Sequence, residues 1–228
     1  MPLNLKERTG KHPYLRAVWH SEIRGQEYLT IPAKSTWDII VIQSTHRVSV
    51  QLSAPHKQPQ QMLVGQEGEM STFTGLRFAT GVYVPEAIQL TMPDHNTLNL
   101  TNKAGRFGLG QEMLPIPTYD TAELMVTMAK RKGLLLLDKT IGDVLAASQM
   151  VPTRALQRRF LRRTDMSKTQ VNQLHRAQYV ASLLHQGHTL AEAATMAGYA
   201  DQAHMTRIFK TLYGTTPRNF YKSYIASP

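Results

Sequence analysis

The spacing of apolar positions changes once along the chain. Up to about residue 113 they fall in short β-branched or aromatic runs: WDIIVIQ (Trp37 to Gln43), VSVQL (Val48 to Leu52), QMLVG (Gln61 to Gly65) and LRFATGVYV (Leu76 to Val84). The polar and Pro- or Gly-bearing segments SAPHKQPQ, QEGE and VPEA separate them, so the pattern predicts strands joined by turns, in a small β-barrel or sandwich. After the Pro-containing stretch MLPIPTYD (Met113 to Asp120) the period becomes helical. Leu124, Met125, Met128 and Ala129 form one stripe behind Asp120, with Glu123 in the capping-box position. The expected organisation is α+β and multidomain: a β-rich domain over residues 1–113, a linker and helix over 114–138, and an all-α domain over 139–228.

The helical part contains an internal repeat. Thr140-x-x-Asp143 and Thr189-x-x-Glu192 both read as capping boxes, opening TIGDVLAAS and TLAEAATMA at an offset of 49 residues. The offset persists: Leu156, Arg158 and Phe160 correspond to Met205, Arg207 and Phe209, Asp165 to Gly214, Ser167 to Thr216, and Val171 to Phe220. Each copy is a short helix, a tight turn near Met150 or Gly198, and a second helix, which is the helix-turn-helix arrangement. Between the copies, Leu174, Ala177, Val180, Ala181 and Leu184 mark a single connecting helix. In the second copy Asp201 caps a helix whose inner stripe is Met205, Ile208, Phe209 and Leu212. Ala203, Thr206, Arg207 and Lys210 face outward, without an acidic residue among them.

Charge sharpens this picture. Of the 228 residues 26 are Lys or Arg and 16 Asp or Glu, but the excess is uneven. Residues 1–138 carry 14 basic and 12 acidic side chains, a net of +2, and residues 139–228 carry 12 and 4, a net of +8. Such asymmetry points to a polyanion, and the lack of a long cationic amphipathic helix with aromatic anchors favours nucleic acid over a membrane. The chain has no cysteine, which excludes disulfides and thiolate zinc sites. MPLNLKERTG lacks the apolar core of a signal peptide, and the longest apolar run, Leu134 to Leu137, is too short to span a bilayer. A cytoplasmic protein with no membrane partner is expected.

From about Lys139 to Tyr224 the chain resembles the DNA-binding domain of the AraC/XylS family of bacterial transcription regulators. The resemblance is carried by TRALQRRF, LHRAQYVASLL and LAEAATMAGYADQAHMTRIFKTLYGTTPRNF. Two departures are local: Pro152 stands where the family usually has a capping Ser, and Asp165 where a Gly usually ends the first reading helix. Proline suits a helix start and Asp tolerates the left-handed conformation. The resemblance implies that the second helix of each unit enters successive major-groove faces on one side of double-stranded DNA.

Helical angle and side-chain chemistry then assign roles. Arg154, Gln157 and Arg158 in the first unit, with Gln202, Ala203, Thr206 and Arg207 in the second, form the base-reading set, since Arg can grip guanine and Gln adenine. Arg159, Arg162, Arg163, Lys168, His204, Lys210 and Arg218 are the phosphate-contact set. The faces differ, so one asymmetric site is expected, with the two reading helices about 34 Å apart. The Arg-rich first unit is expected to supply more of the salt-dependent affinity.

Before Met113, IPAKSTWDIIVIQ and LRFATGVYVPEA look like the amino-terminal, cupin-like β domain of some family members, a sensor of small molecules in several of them. This domain is expected to sense or to dimerise, with a small-molecule effector, RNA polymerase and a second copy of the chain as further candidate partners. His12, His20, His46, His56 and His95 are scattered without metal-ligand spacing, so no metal, no cofactor and no catalytic residue is assigned. Trp19, Trp37, Phe78 and Tyr83 read as core. The expectation is a non-enzymatic transcription regulator. The competing reading is a small-molecule-binding or catalytic β domain tethered non-specifically to nucleic acid by a basic helical domain.

Overall fold

The structure is a computed structural model and describes residues 3–87, 97–146 and 153–225. His95, the turn at Met150 and Pro152 lie outside the described residues. The first part is built from β1 (Leu3–Thr9), β2 (Leu15–Ile31), β3 (Asp38–Gln43), β4 (Val48–Ser53), β5 (Gln60–Phe78), β6 (Val82–Tyr83), β7 (Thr97–Leu100), β8 (Asn102–Lys103), β9 (Arg106–Leu109) and β10 (Glu112–Pro115). Then follow α1 (Ala122–Arg131) and β11 (Leu136–Leu137). The second part is all helix: α2 (Lys139–Ala146), α3 (Arg154–Thr164), α4 (Lys168–His185), α5 (Leu190–Met196), α6 (Gln202–Tyr213) and α7 (Pro217–Ile225).

The strands form an antiparallel sheet in the order β1-β2-β5-β3-β4-β7, a second sheet β10-β9-β8, and the pair β11-β6. An antiparallel sheet domain followed by a helical domain is the expected fold class. The strands differ in detail from the sequence pattern. QMLVG is a piece of the 19-residue β5, which stays paired with β2 past a bulge where Gly25 and Gly65 both take positive φ. LRFATGVYV is broken at Gly81, whose φ of 93° suits only glycine.

Val18, Ile39, Leu52, Leu76, Phe78, Phe107 and Leu114 fill the first core. Trp37 is buried in it, Tyr83 packs at its edge, and Trp19 lies over the bare Cα of Gly75. The segment 114–138 does not leave this domain: Ala122, Met125, Val126, Ala129, Leu134 and Leu135 are all buried in the same core. The second core joins Ile141, Phe160, Met166, Leu174, Val180, Met205 and Phe209. Ala33 of the sheet domain is buried with them.

Two helix starts depart from expectation. α1 is capped at Thr121 with no side-chain cap bond, and Glu123 does not close a box. Instead Glu123 accepts from Arg8 Nη1 and Nη2 at 2.6 and 2.9 Å and from the Lys11 amide at 3.2 Å, because an ion pair offers more than a weak cap. α2 begins at Lys139, so Thr140 lies in its first turn, and the Asp138 carbonyl accepts from the Ile141 amide at 3.1 Å.

The Arg8 guanidinium holds the Glu123 carboxyl well below the usual range, at about 2 against 4.5. A depressed carboxyl contributes stability that is complete above its unfolded value and disappears as pH falls through the folded value. Thermal melts between pH 5 and pH 2 should therefore show a steep loss that Glu123→Gln flattens. Parallel curves for the two proteins would remove this pair from the account of acid stability.

Candidate nucleic-acid interface

Each reading helix begins at a side-chain cap. The Thr153 hydroxyl accepts from the Leu156 amide at the start of α3, and the Asp201 carboxylate accepts from the His204 amide at 2.6 Å at the start of α6. Both helices end in a left-handed residue, Asp165 (φ 55°) and Gly214 (φ 72°), whose amides return to Leu161 and Lys210. Asp165 therefore takes the conformation its place in the repeat requires. α5 opens with a complete capping box, Thr189 and Glu192, and α4 with another, Ser167 and Gln170.

The turn between α5 and α6 is held from behind. Arg176 on α4 donates Nε to the Ala197 carbonyl at 2.9 Å and Nη2 to the Gly198 carbonyl, and its guanidinium lies 4.0 Å from the Tyr199 ring centroid. The Tyr199 ring meets His204 edge-on at 5.5 Å. One arginine thus satisfies the open carbonyls at the end of α5 and, through a ring, sets the start of α6. Arg176 and Tyr199 stand in the stretches that resemble the family, but their pairing joins two helices and no spacing along the chain signals it.

Arg154, Gln157 and Arg158 are exposed on one face of α3, and Gln202, Ala203 and Arg207 on α6, with Thr206 half-buried beside them. Phe160, Met205, Phe209 and Leu212 are buried beneath, with Leu156 and Ile208 partly so. Tyr213 stacks on Phe209 at 4.2 Å, and burial pushes its hydroxyl up to about 12. Arg162, Lys210 and Arg218 are exposed, and Lys168 is half-buried.

Three of the expected phosphate contacts have other neighbours. His204 is half-buried against Tyr199. Arg159 donates Nε to Asp138 Oδ2 at 2.5 Å, and Arg163 Nε lies 3.6 Å from the same oxygen with its guanidinium 3.5 Å over the Tyr83 ring. Asp138 and Tyr83 were not identifiable as partners of α3 from the sequence, because the β6–β11 pairing brings them there.

The sheet domain also touches α6. The Ala33 amide donates to the Leu212 carbonyl at 2.8 Å, and Gly214 packs so closely on Thr30 and Pro59 that a side chain there would collide with them. The loop is anchored by buried Lys34, which meets Asp38 Oδ2 and the Ser53 carbonyl at 3.1 Å each, and burial pushes its ammonium below the ordinary value. Arg16 reaches Gln178 of α4 at 3.2 Å. Both α3 and α6 thus expose side chains in their N-terminal halves and meet the sheet domain toward their C-terminal ends. Among the described residues no group of acidic and histidine side chains is placed to hold a metal, and no helix is long and apolar enough to cross a membrane.

Residues 145–223 match the family described as a helix-turn-helix domain. Over 83 residues the chain is 34% identical to the HTH-type transcriptional regulator RipA of Corynebacterium glutamicum, a match covering 36% of this chain and 25% of that protein. The chain thus spans a quarter of the length of that curated relative. Among solved structures it is similar to ToxT of Vibrio cholerae. The form with a bound unsaturated fatty acid has 12% identity over 90% of this chain and 94% of that one, with a TM-score of 0.47, and a second form has 10% identity over 90% and 97%, with a TM-score of 0.49. Residues 145–223, which span the helices from the end of α2 into α7, are thus a helix-turn-helix domain.

Asp201→Ala should lower stability by about 1 kcal/mol through loss of the cap. Arg176→Met should speed amide exchange from Gly198 to His204 while leaving α3 as it was. Equal acceleration in both helices would mean that Arg176 supports the whole domain rather than one turn.

Proposed function

We propose that this protein is a sequence-specific DNA-binding transcription regulator that acts by binding and not by chemistry. It reads one asymmetric site with α3 and α6 in successive major-groove faces. The observation that carries this reading is the pair of capped helices whose exposed faces are basic, nearly free of acid and unlike each other. Arg154, Gln157 and Arg158 read bases in one half-site, and Gln202, Ala203, Thr206 and Arg207 in the other. Arg162, Lys168, Lys210 and Arg218 supply phosphate contacts. The sheet domain modulates this activity, in response to a small molecule, through its contacts with both helices and with α4. The site of action is the cytoplasm, where the chromosome is.

Binding to specific and scrambled duplexes tests the reading, because simple tethering predicts equal affinity for both. Footprinting should give two protected patches of unlike sequence, roughly one helical turn apart. Arg207→Ala should cost about 1–3 kcal/mol on the specific site and much less on random DNA, whereas Lys210→Ala should weaken both alike. Equal losses for Arg207→Ala on the two duplexes would take that face out of base reading.

A further inference from the structure

The geometry points to Asp138 as a positioning residue that decides which arginines of the first reading helix grip DNA, by standing in for a phosphate against Arg159. The inference rests on the DNA-binding function proposed above. α3 carries five arginines, and Arg154, Arg158 and Arg162 lie on its outward face with nothing acidic nearby on the helix. Arg159 follows Arg158 by one step of about 100°, which puts it on the flank of that face. A helix lying in the major groove meets a phosphate strand along its flank, so a free Arg159 is placed to take a phosphate contact.

Asp138 occupies that cation instead. Its side chain is 1% exposed while that of Arg159 is 51% exposed, so the carboxylate is fixed and the arginine comes to it. The carboxylate belongs to the sheet domain: the Asp138 amide donates to the Gly81 carbonyl at 2.9 Å, and Leu136 and Leu137 just before it pair with Tyr83 and Val82. Arg163, one turn on from Arg159, is locked over Tyr83 and adds a second positive charge beside the same Asp138 oxygen. A buried carboxylate facing two guanidiniums strongly retains at least one of them. While its Nε stays on Asp138 the charge of Arg159 is compensated, so Arg159 counts as a full counter-charge to a phosphate only when it leaves Asp138, and the number of phosphates neutralised by α3 is tied to the contact between α3 and the sheet domain. By linkage, whatever loosens that contact strengthens sequence-independent DNA binding, and DNA in turn loosens the contact.

The slope of log affinity against log salt counts the phosphates neutralised, at about 0.9 per contact, and a merely structural role for Asp138 would not raise it. In the full chain, Asp138→Asn should steepen the slope by about 0.9 and tighten binding to specific and random duplexes alike at low salt. Arg159→Gln should leave the slope of the otherwise unchanged protein as it was, and should cancel the gain when added to Asp138→Asn. An unchanged or shallower slope for an Asp138→Asn protein that retains its melting transition would overturn the proposal. Should that variant fail to fold, Arg159→Gln alone decides, because its side chain is half exposed: a slope shallower by about 0.9 means that Arg159 already grips phosphate and the proposal is wrong. Absence of any duplex binding by the unaltered chain would instead sink the DNA-binding reading itself, and the proposal with it.

Discussion

The helical domain depends on covering one apolar stripe. Val171, Leu174, Ala177, Val180, Ala181 and Leu184 run the length of α4 and are all buried, although this helix also carries Arg176 and two histidines. A stripe of this length is too long for one neighbour, so both helix-turn-helix units must pack on the same helix. Their relative placement follows: each unit buries one phenylalanine, Phe160 or Phe209, toward α4 and turns its polar face outward. Both units are thereby carried on one helix.

Local signals settle where the reading helices start and stop. Thr153 and Asp201 satisfy amides that the first turn leaves open, and Asp165 and Gly214 end the helices in a conformation most residues avoid. What distinguishes the two units is the support behind them. The turn ahead of α6 is bound by Arg176 and Tyr199 from within the helical domain, whereas the far flank of α3 is bound by Asp138 and Tyr83 from the sheet domain. The start of α6 is therefore held from within its own domain, while its C-terminal end, like the flank of α3, rests on the sheet domain.

The sheet domain acts as a platform. Its loop at Ala33 meets the C-terminal end of α6, its β6–β11 pair meets α3, and Arg16 meets α4. These contacts combine hydrogen bonds and an ion pair with the apolar burial of Ala33 and the close packing of Gly214 on Thr30 and Pro59. A change in the sheet domain thus has three short routes to the helices.

The periodicity of the chain alone determined the change from sheet to helix, the apolar stripes of α4 and α6, and the caps at Thr189 and Asp201, because these depend on neighbours within one turn or one strand. It also placed Asp165 where a left-handed residue was needed. The helix starts that went astray, at Asp120 and Thr140, are those where a distant group competes: Arg8 takes Glu123, and the chain around Asp138 is already committed to Gly81. The same holds for the arginines of α3. Their number and helical face were legible, but the division between those that face solvent and those that face Asp138 was decided by tertiary structure. That division depends on residues near 82, 137 and 159 meeting at one point, and a contact closed over so many intervening residues leaves no local pattern in the chain.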